Sequence, residues 1–193
     1  KRNSSKLGIT YNHGGGKFFV SYSNGYRLPT TDELFGYDMS VFPFTVKTTL
    51  LDPEKATTYE AGVSHPLTKD TSASLTVYTM KVEDELFFNP STFENENIPR
   101  VKHKGAEAGI ETNLTKDIKG SANGTYSKVT RESGQLDGKT MPLVPKYTAN
   151  LTAVASLTDE LKLSANANYV GSSFIENDLA NSQEKLASRT TVD

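Results

Sequence analysis

Apolar and polar side chains alternate with a period of two along most of this chain, the period of extended strands that have one face in an apolar environment. Leu7, Ile9 and Tyr11 alternate with Gly8 and Thr10. The run Asn12-His13-Gly14-Gly15-Gly16 then makes a glycine-permissive turn, and Phe18, Val20 and Tyr22 resume on one face, so a first hairpin is predicted. From Thr57 to His65, Tyr59, Ala61 and Val63 oppose Thr58, Glu60, Gly62 and Ser64. Pro66 to Asp70 turns the chain into Ser72 to Val82, where Leu75 and Val77 share one face and Tyr78 and Met80 the other, leaving the apolar side open. The clearest strand covers about Val101 to Leu114, with Ala106, Ala108, Ile110, Thr112 and Leu114 against Gly105, Glu107, Gly109, Glu111 and Asn113. A polar strand follows over Ser121 to Thr130. Tyr147 to Leu157 and Leu161 to Tyr169 alternate again, joined at Thr158-Asp159-Glu160, and Arg189 to Asp193 reads as the start of one more strand.

The connections have their own order. The longest, Asn24 to Ala56, exceeds any ordinary hairpin loop. Thr30 and Glu33 have capping-box spacing and Asp32 adds negative charge, predicting one helical turn over residues 31–35 just past Pro29. Asp52-Pro53-Glu54-Lys55 suits a type I turn that restarts the strand. Glu83 to Arg100, Arg131 to Pro145 and Gly171 to Lys185 are read as further long connections. Short and long connections therefore alternate, which in an antiparallel up-and-down sheet gathers the long loops at one end.

Strands of about 9 to 11 residues, apolar on one side, with short turns at one end and long loops at the other, match a transmembrane barrel. On that reading Tyr59, Ala61, Val63, Ala108, Ile110, Leu151, Leu163 and Ala165 face lipid, and Glu60, Glu107, Glu111, Asn150, Asn166 and Asn168 face the lumen. Tyr59, Tyr147 and Tyr169 then stand near strand ends as girdle aromatics. The same alternation fits a soluble β-sandwich adhesin or glycan-binding module, its apolar face turned to a second sheet, and periodicity alone leaves both open.

Composition narrows the choices little. A hydrophobic content of 35% and a mean hydropathy of −0.50 would suit a soluble protein, but a barrel exposes apolar residues only at alternate positions. No stretch approaches the roughly 18 apolar residues of a membrane helix. The net charge of −2 gives no electrostatic case for nucleic acid, and the absence of cysteine removes disulfides and thiolate chemistry. Lys1 at the start, and a last strand that stops as it begins, are read as the marks of a piece with both termini cut.

Several motifs in order resemble one family. They are Tyr22-Ser23-Asn24-Gly25-Tyr26-Arg27-Leu28-Pro29-Thr30 with Glu33-Leu34-Phe35, then Leu51-Asp52-Pro53-Glu54-Lys55 and Thr58-Tyr59-Glu60-Ala61-Gly62, then Asn97-Ile98 and Lys104 to Glu111. Together they are similar to the barrel domain of TonB-dependent outer-membrane receptors, Tyr26 standing where Phe is usual. The resemblance implies an all-β, antiparallel segment over residues 1–193, about eight strands and the start of a ninth, near the C-terminal end of a barrel of about 22 strands. It implies a receptor in the outer membrane of a Gram-negative bacterium, surrounded by lipid, importing a scarce nutrient, foremost a ferric siderophore. Energy would come from TonB through a plug domain that this sequence does not include.

Chemistry is sparse in the residues themselves. His13, His65 and His103 have no metal-ligand spacing, and no nucleophile elbow, phosphate loop or triad is present, so neither an enzyme nor a bound cofactor is expected. Haem is disfavoured as cargo because only His103 falls toward the long-loop end. Asp84-Glu85 and Glu94-Asn95-Glu96 read as solvated loop charges. The long connections do concentrate aromatic rings, which are costly to leave exposed without use. The candidate ligand-binding residues are Tyr37, Phe42, Phe44, Phe87 and Phe88, with Arg27 and Arg100 as cations at the loop roots; Tyr26, Phe35 and Phe93 lie nearby in sequence. The resemblance also implies that Tyr26, Arg27 and Glu33 brace their loop.

Overall fold

The computed structural model of the chain describes residues 3–38, 42–43, 45–90 and 92–193; Phe44 lies outside them, and of Tyr37 only the backbone is described. Nine strands form one antiparallel sheet: β1 (Ser5–His13), β2 (Gly16–Arg27), β5 (Glu54–Pro66), β6 (Thr71–Asn89), β7 (Glu94–Asn113), β8 (Ile118–Arg131), β9 (Tyr147–Ser156), β10 (Lys162–Val170) and β11 (Arg189–Val192). They neighbour one another in chain order, an up-and-down meander. The long β2–β5 connection contains a helical turn, α1 (Thr31–Leu34), and a hairpin of β3 (Phe35–Asp38) and β4 (Thr45–Thr48) that sequence periodicity leaves as loop.

The register carries the alternation across the whole sheet. Ile9 pairs with Val20, Val20 with Ala61, Ala61 with Val77, Val77 with Ala106, and further along Ala122 with Leu151 and Leu151 with Ala167. Paired residues share a face, so the apolar side chains of nine strands form one continuous surface. That register also resolves the open face of β6: Leu75 and Val77 join the apolar side, and Tyr78 and Met80 the polar one. Among the described residues no second sheet covers the apolar surface, as a sandwich would require. Leu7, Ile9, Leu151 and Leu163 are 69%, 66%, 59% and 61% exposed.

The opposite face is polar and internally bonded. The Asn150 side-chain amide donates to Asn168 Oδ1 at 2.7 Å, Asn166 donates to Thr152 Oγ1 at 2.9 Å, and Thr152 Oγ1 donates to Asn150 Oδ1 at 3.1 Å. Phe19 lies across Gly62 on this face, where a Cβ would press into the ring and stand 2.9 Å from Thr76 Oγ1. The β1–β2 turn uses glycine for its backbone: Gly14 and Gly15 have φ of 58° and 77°, the left-handed pair of a tight hairpin.

Two expectations are corrected. Glu83 to Arg100 is not an extended loop but the upper part of a long hairpin: pairing continues from Glu85↔Ile98 to Asn89↔Glu94. The sequence hides this because Asp84, at φ 57°, breaks the alternation opposite Pro99, which has no amide to give the ladder. Beyond that break Glu85, Phe87 and Ile98 lie with Val82 and Val101 on one side. The second correction concerns Asp52-Pro53-Glu54-Lys55: its last two residues already belong to β5, which begins at Glu54, and Asn97 holds Asp52 in its place.

The buried apolar core is small and lies at the long-loop end. Val82, Ile98, Val101, Val129 and Met141 form it, with Met80, Phe87, Ala56 and Val144 packed around.

Candidate functional site: the long-loop end

The short turns, 14–15, 67–70, 114–117 and 157–161, lie at one end of the sheet, and the β2–β5 connection, the β6–β7 hairpin tip and residues 132–146 and 171–188 at the other. Of the described candidate residues, Arg27, Phe42, Phe87, Phe88 and Arg100 belong to this second end, where the chain builds two braces and one aromatic cleft.

Arg27 is the centre of the first brace. Its Nη1 donates to both carboxylate oxygens of Glu33, at 2.9 and 3.0 Å, and Nη2 to Glu54 at 3.5 Å. Glu33 in turn accepts from the Thr30 amide at 2.7 Å, closing the capping box that the sequence predicts. That backbone hydrogen bond, then those of Arg27 and the Thr30 hydroxyl, hold the Glu33 carboxyl below the usual range against the opposing effect of burial. Asn97 is the second brace: it accepts from the Asp52 amide at 2.7 Å and donates to the carbonyls of Asp52 at 2.9 Å and Asp84 at 2.7 Å. One side chain thus ties the end of the long loop to the break in the hairpin.

The cleft lies between α1 and the tip of the β6–β7 hairpin. Phe35, Phe88 and Phe93 line a space of about 310 Å³ together with Asp32, Thr49 and Asn95. Phe88 and Phe93 meet edge to face at 6.4 Å. The walls are fixed by Asn95 donating to the Glu33 carbonyl at 3.2 Å and by the Lys47–Glu94 ion pair at 2.7 Å. Phe42 is 90% exposed.

Phe87 points to the other side of the hairpin and meets a residue that the sequence reading missed. The Arg131 guanidinium lies 5.1 Å over the Phe87 ring, and the residue is only 8% exposed. Its Nη2 is buried without a hydrogen-bond partner among the described residues. His103 faces Glu85 at 3.2 Å beside it. A signal was available: extending the β8 alternation by one step past Val129 places Arg131 on the polar side. Arg100 stands apart from both groups. It pairs with Glu83 on the same face as Lys102 and Lys104, the apolar face's continuation, and is exposed. The remaining loops are fastened to each other, the Asn181 amide donating to the Thr140 carbonyl at 2.9 Å and the Leu143 amide to the Phe174 carbonyl at 2.9 Å. No cluster of metal-ligating side chains occurs among the described residues.

An antiparallel meander with one apolar and one polar face, aromatic residues near strand ends and long loops gathered at one end is the wall of an outer-membrane barrel. The comparisons name the family: the chain belongs to the TonB-dependent receptors, its residues 1–193 matching the description "TonB dependent receptor-like, beta-barrel". This is a family of transport receptors, not of enzymes. Among solved structures, the chain is similar to the ferric yersiniabactin uptake receptor FyuA from Yersinia pestis, with 19% identity and a TM-score of 0.72 over 97% of this chain and 28% of that one. It is also similar to the ferric enterobactin receptor PfeA from Pseudomonas aeruginosa, at 16% identity and TM-score 0.77 over 98% and 31% of the two chains. The copper transporter OprC matches at 17% identity and TM-score 0.74, over 98% and 30%. The chain thus spans about three-tenths of the length of these relatives. No curated protein matches the sequence.

Proposed function

We propose that the chain forms part of the barrel wall and ligand-receiving mouth of an outer-membrane receptor that imports a scarce nutrient, a ferric siderophore foremost, with energy delivered by TonB through a plug domain. The observation that carries the reading is the continuous apolar surface of the nine-stranded sheet, set against a polar face bonded through Asn150, Asn166, Asn168 and Thr152. A surface of that extent suits acyl chains, and a hydrogen-bonding face suits a wet interior. Two of the similar structures, uptake or receptor proteins for ferric yersiniabactin and ferric enterobactin, support a ferric chelate as cargo.

At the mouth, Phe87 and Phe88, on opposite sides of one hairpin, offer aromatic surface to a chelate, and Tyr37, Phe42 and Phe44 of the long loop are kept as candidate contacts. Arg27 shapes that loop through Glu33 and Glu54, and Arg131 adds a cation beside Phe87. Arg100 remains part of the proposed site as a cation at the loop root.

The test uses the full-length receptor in its own host. Deleting it should abolish uptake of a labelled ferric siderophore under iron limitation, and a strain lacking TonB should show the same loss. Equal uptake in all three strains, over a panel of siderophores, haem and cobalamin, would overturn the reading. Substituting Phe87, Phe88 and Arg131 with Ala should weaken binding by about tenfold or more, a loss of roughly 1.4 kcal/mol. Substituting Arg27, Phe42, Phe44 and Arg100 together tests the loop residues, and unchanged affinity removes them from the site.

A further inference from the structure

Arg131 reaches from β8 across β7 to lie 5.1 Å over the Phe87 ring of β6, and the next side chain down that side of β6 is Glu85. Burial disfavours the charge of this guanidinium, and Glu96 and Glu85 are the carboxylates whose fields reach it. Neither of them, nor any other carboxylate among the described residues, stands within ion-pair distance, and Nη2 is buried with no partner. Both near carboxylates are held elsewhere: Glu96 accepts from the Asn89 amide at 3.3 Å, and Glu85 Oε2 lies 3.2 Å from His103 Nε2. Ser133 Oγ, two residues along from Arg131, is also buried without a partner. A buried cation left unpaired is strongly destabilising, so a fold that keeps one has an alternative partner for it within reach.

Glu85 is that partner by position. Arg131 pairs with Val101, which lies between the levels of Glu85 and His103, so a carboxylate reaching down to His103 already passes the depth of the guanidinium. A change of side-chain rotamer carries it from one cation to the other. The two claimants respond differently to pH. Histidine changes charge between about pH 5 and 8, whereas arginine stays charged throughout. Hydrogen bonds between ionised groups are roughly twice as strong as neutral ones, so a charged imidazole competes for Glu85 and a neutral one yields it. The charged and titratable groups on the side of His103 are Glu85 and Tyr78 from β6, Glu96 from β7, Arg131 from β8, and Lys139, whose carbonyl accepts from the Arg131 amide. Its ladder partners Met80 and Val129 are apolar, and among the described residues Glu85 alone is bonded to the ring.

We propose that Glu85 is a proton-controlled switch at the mouth: charged His103 draws its carboxylate away and leaves Arg131 Nη2 open to an anionic oxygen of the cargo, and neutral His103 releases it to close on Arg131. In mildly acid surroundings the receptor then offers its buried cation beside the Phe87 ring, and in alkaline ones the chain satisfies that cation itself. The effect on cargo rests on the reading of the mouth as a binding site for a chelate, whereas the switch belongs to the chain alone and is tested without cargo.

Crystal structures of the full-length wild-type receptor at about pH 5.5 and about pH 8.5 should show the Glu85 carboxylate on His103 in the first and on Arg131 in the second. Double-mutant cycles by denaturant titration of the same receptor measure the competition directly. The coupling between E85Q and R131Q should change the unfolding constant by about tenfold or more at the higher pH and vanish at the lower, and the coupling between E85Q and H103N should do the reverse. In H103N the Glu85–Arg131 coupling should persist at both pH values. A Glu85–His103 contact at both pH values, or a Glu85–Arg131 coupling that pH does not change in the wild-type background, would overturn the switch. Should R131Q fail to fold, the structure of H103N at about pH 5.5 decides: Glu85 on Arg131 is expected, and Glu85 away from it overturns the proposal.

Discussion

The charge on Glu33 governs the root of the longest loop, because one carboxylate receives Thr30, closes α1 and holds Arg27. Its ionised form is favoured in the folded loop, so its contribution is fully present above the ordinary carboxylate value of 4.5 and is lost as pH falls through the depressed one. Amide exchange at residues 30–34, corrected for the intrinsic rate, should therefore stay protected above pH 4.5 and lose protection below it in the intact receptor. Glu33→Gln should flatten that dependence, and an unchanged profile would show that the loop is held elsewhere. Asn97 acts at the same scale. Asn97→Ala leaves the Asp52 amide and two carbonyls without their partner, a local cost of about 1–3 kcal/mol. Exchange at Asp52 and Glu54 should rise about tenfold or more, while the sheet below keeps its protection.

At the scale of elements, the strands carry opposite demands on their two faces, and this makes a sharp expectation for β9. Leu151 lies four residues, or about 13 Å, from the girdle residue Tyr147, well inside the apolar surface, and is 59% exposed in the isolated sheet. Leu151→Arg in the intact receptor should cost about 2–4 kcal/mol of folding stability in bilayers, and Leu157→Arg, beside the short turn, about 0–1 kcal/mol. Equal costs from denaturant titration would deny lipid contact at Leu151. The same period of two made most of the strands and the short-long rhythm legible in the sequence, whereas β6, apolar on both sides through Leu75, Val77, Tyr78 and Met80, takes its face only from the register. The hairpin above Val82 was illegible for a physical reason: Asp84 in the left-handed region reverses which side chains share a side, so Phe87 and Ile98 fall out of phase with Val82. The capping box of α1 could be read because it is local in sequence. The Asn97 clamp could not, since it spans 45 residues between loop and hairpin, and neither could the meeting of Phe87 with Arg131.

For the molecule as a whole, the distribution of burial decides what the chain can do alone. Its buried apolar core consists of Val82, Ile98, Val101, Val129 and Met141, gathered at the mouth, whereas the apolar side chains along nine strands face outward. A soluble domain places its largest hydrophobic surface inside; this sheet leaves it open, and β1 and β11 each pair along one edge only. Both features favour association in water, the first through burial of apolar area at roughly 25 cal/mol per Å², the second through edge-to-edge pairing. The 193-residue chain expressed by itself should therefore aggregate in buffer and become dispersed only with detergent, whose tails replace lipid on the apolar face. Adding the remaining strands should shift the product toward a heat-modifiable barrel on gels, because closure satisfies both edges at once. Sedimentation of the chain alone as a monomer with cooperative unfolding in plain buffer would mean that Leu7, Ile9, Leu151 and Leu163 find cover within a self-contained domain, and the membrane-wall reading would fall with them.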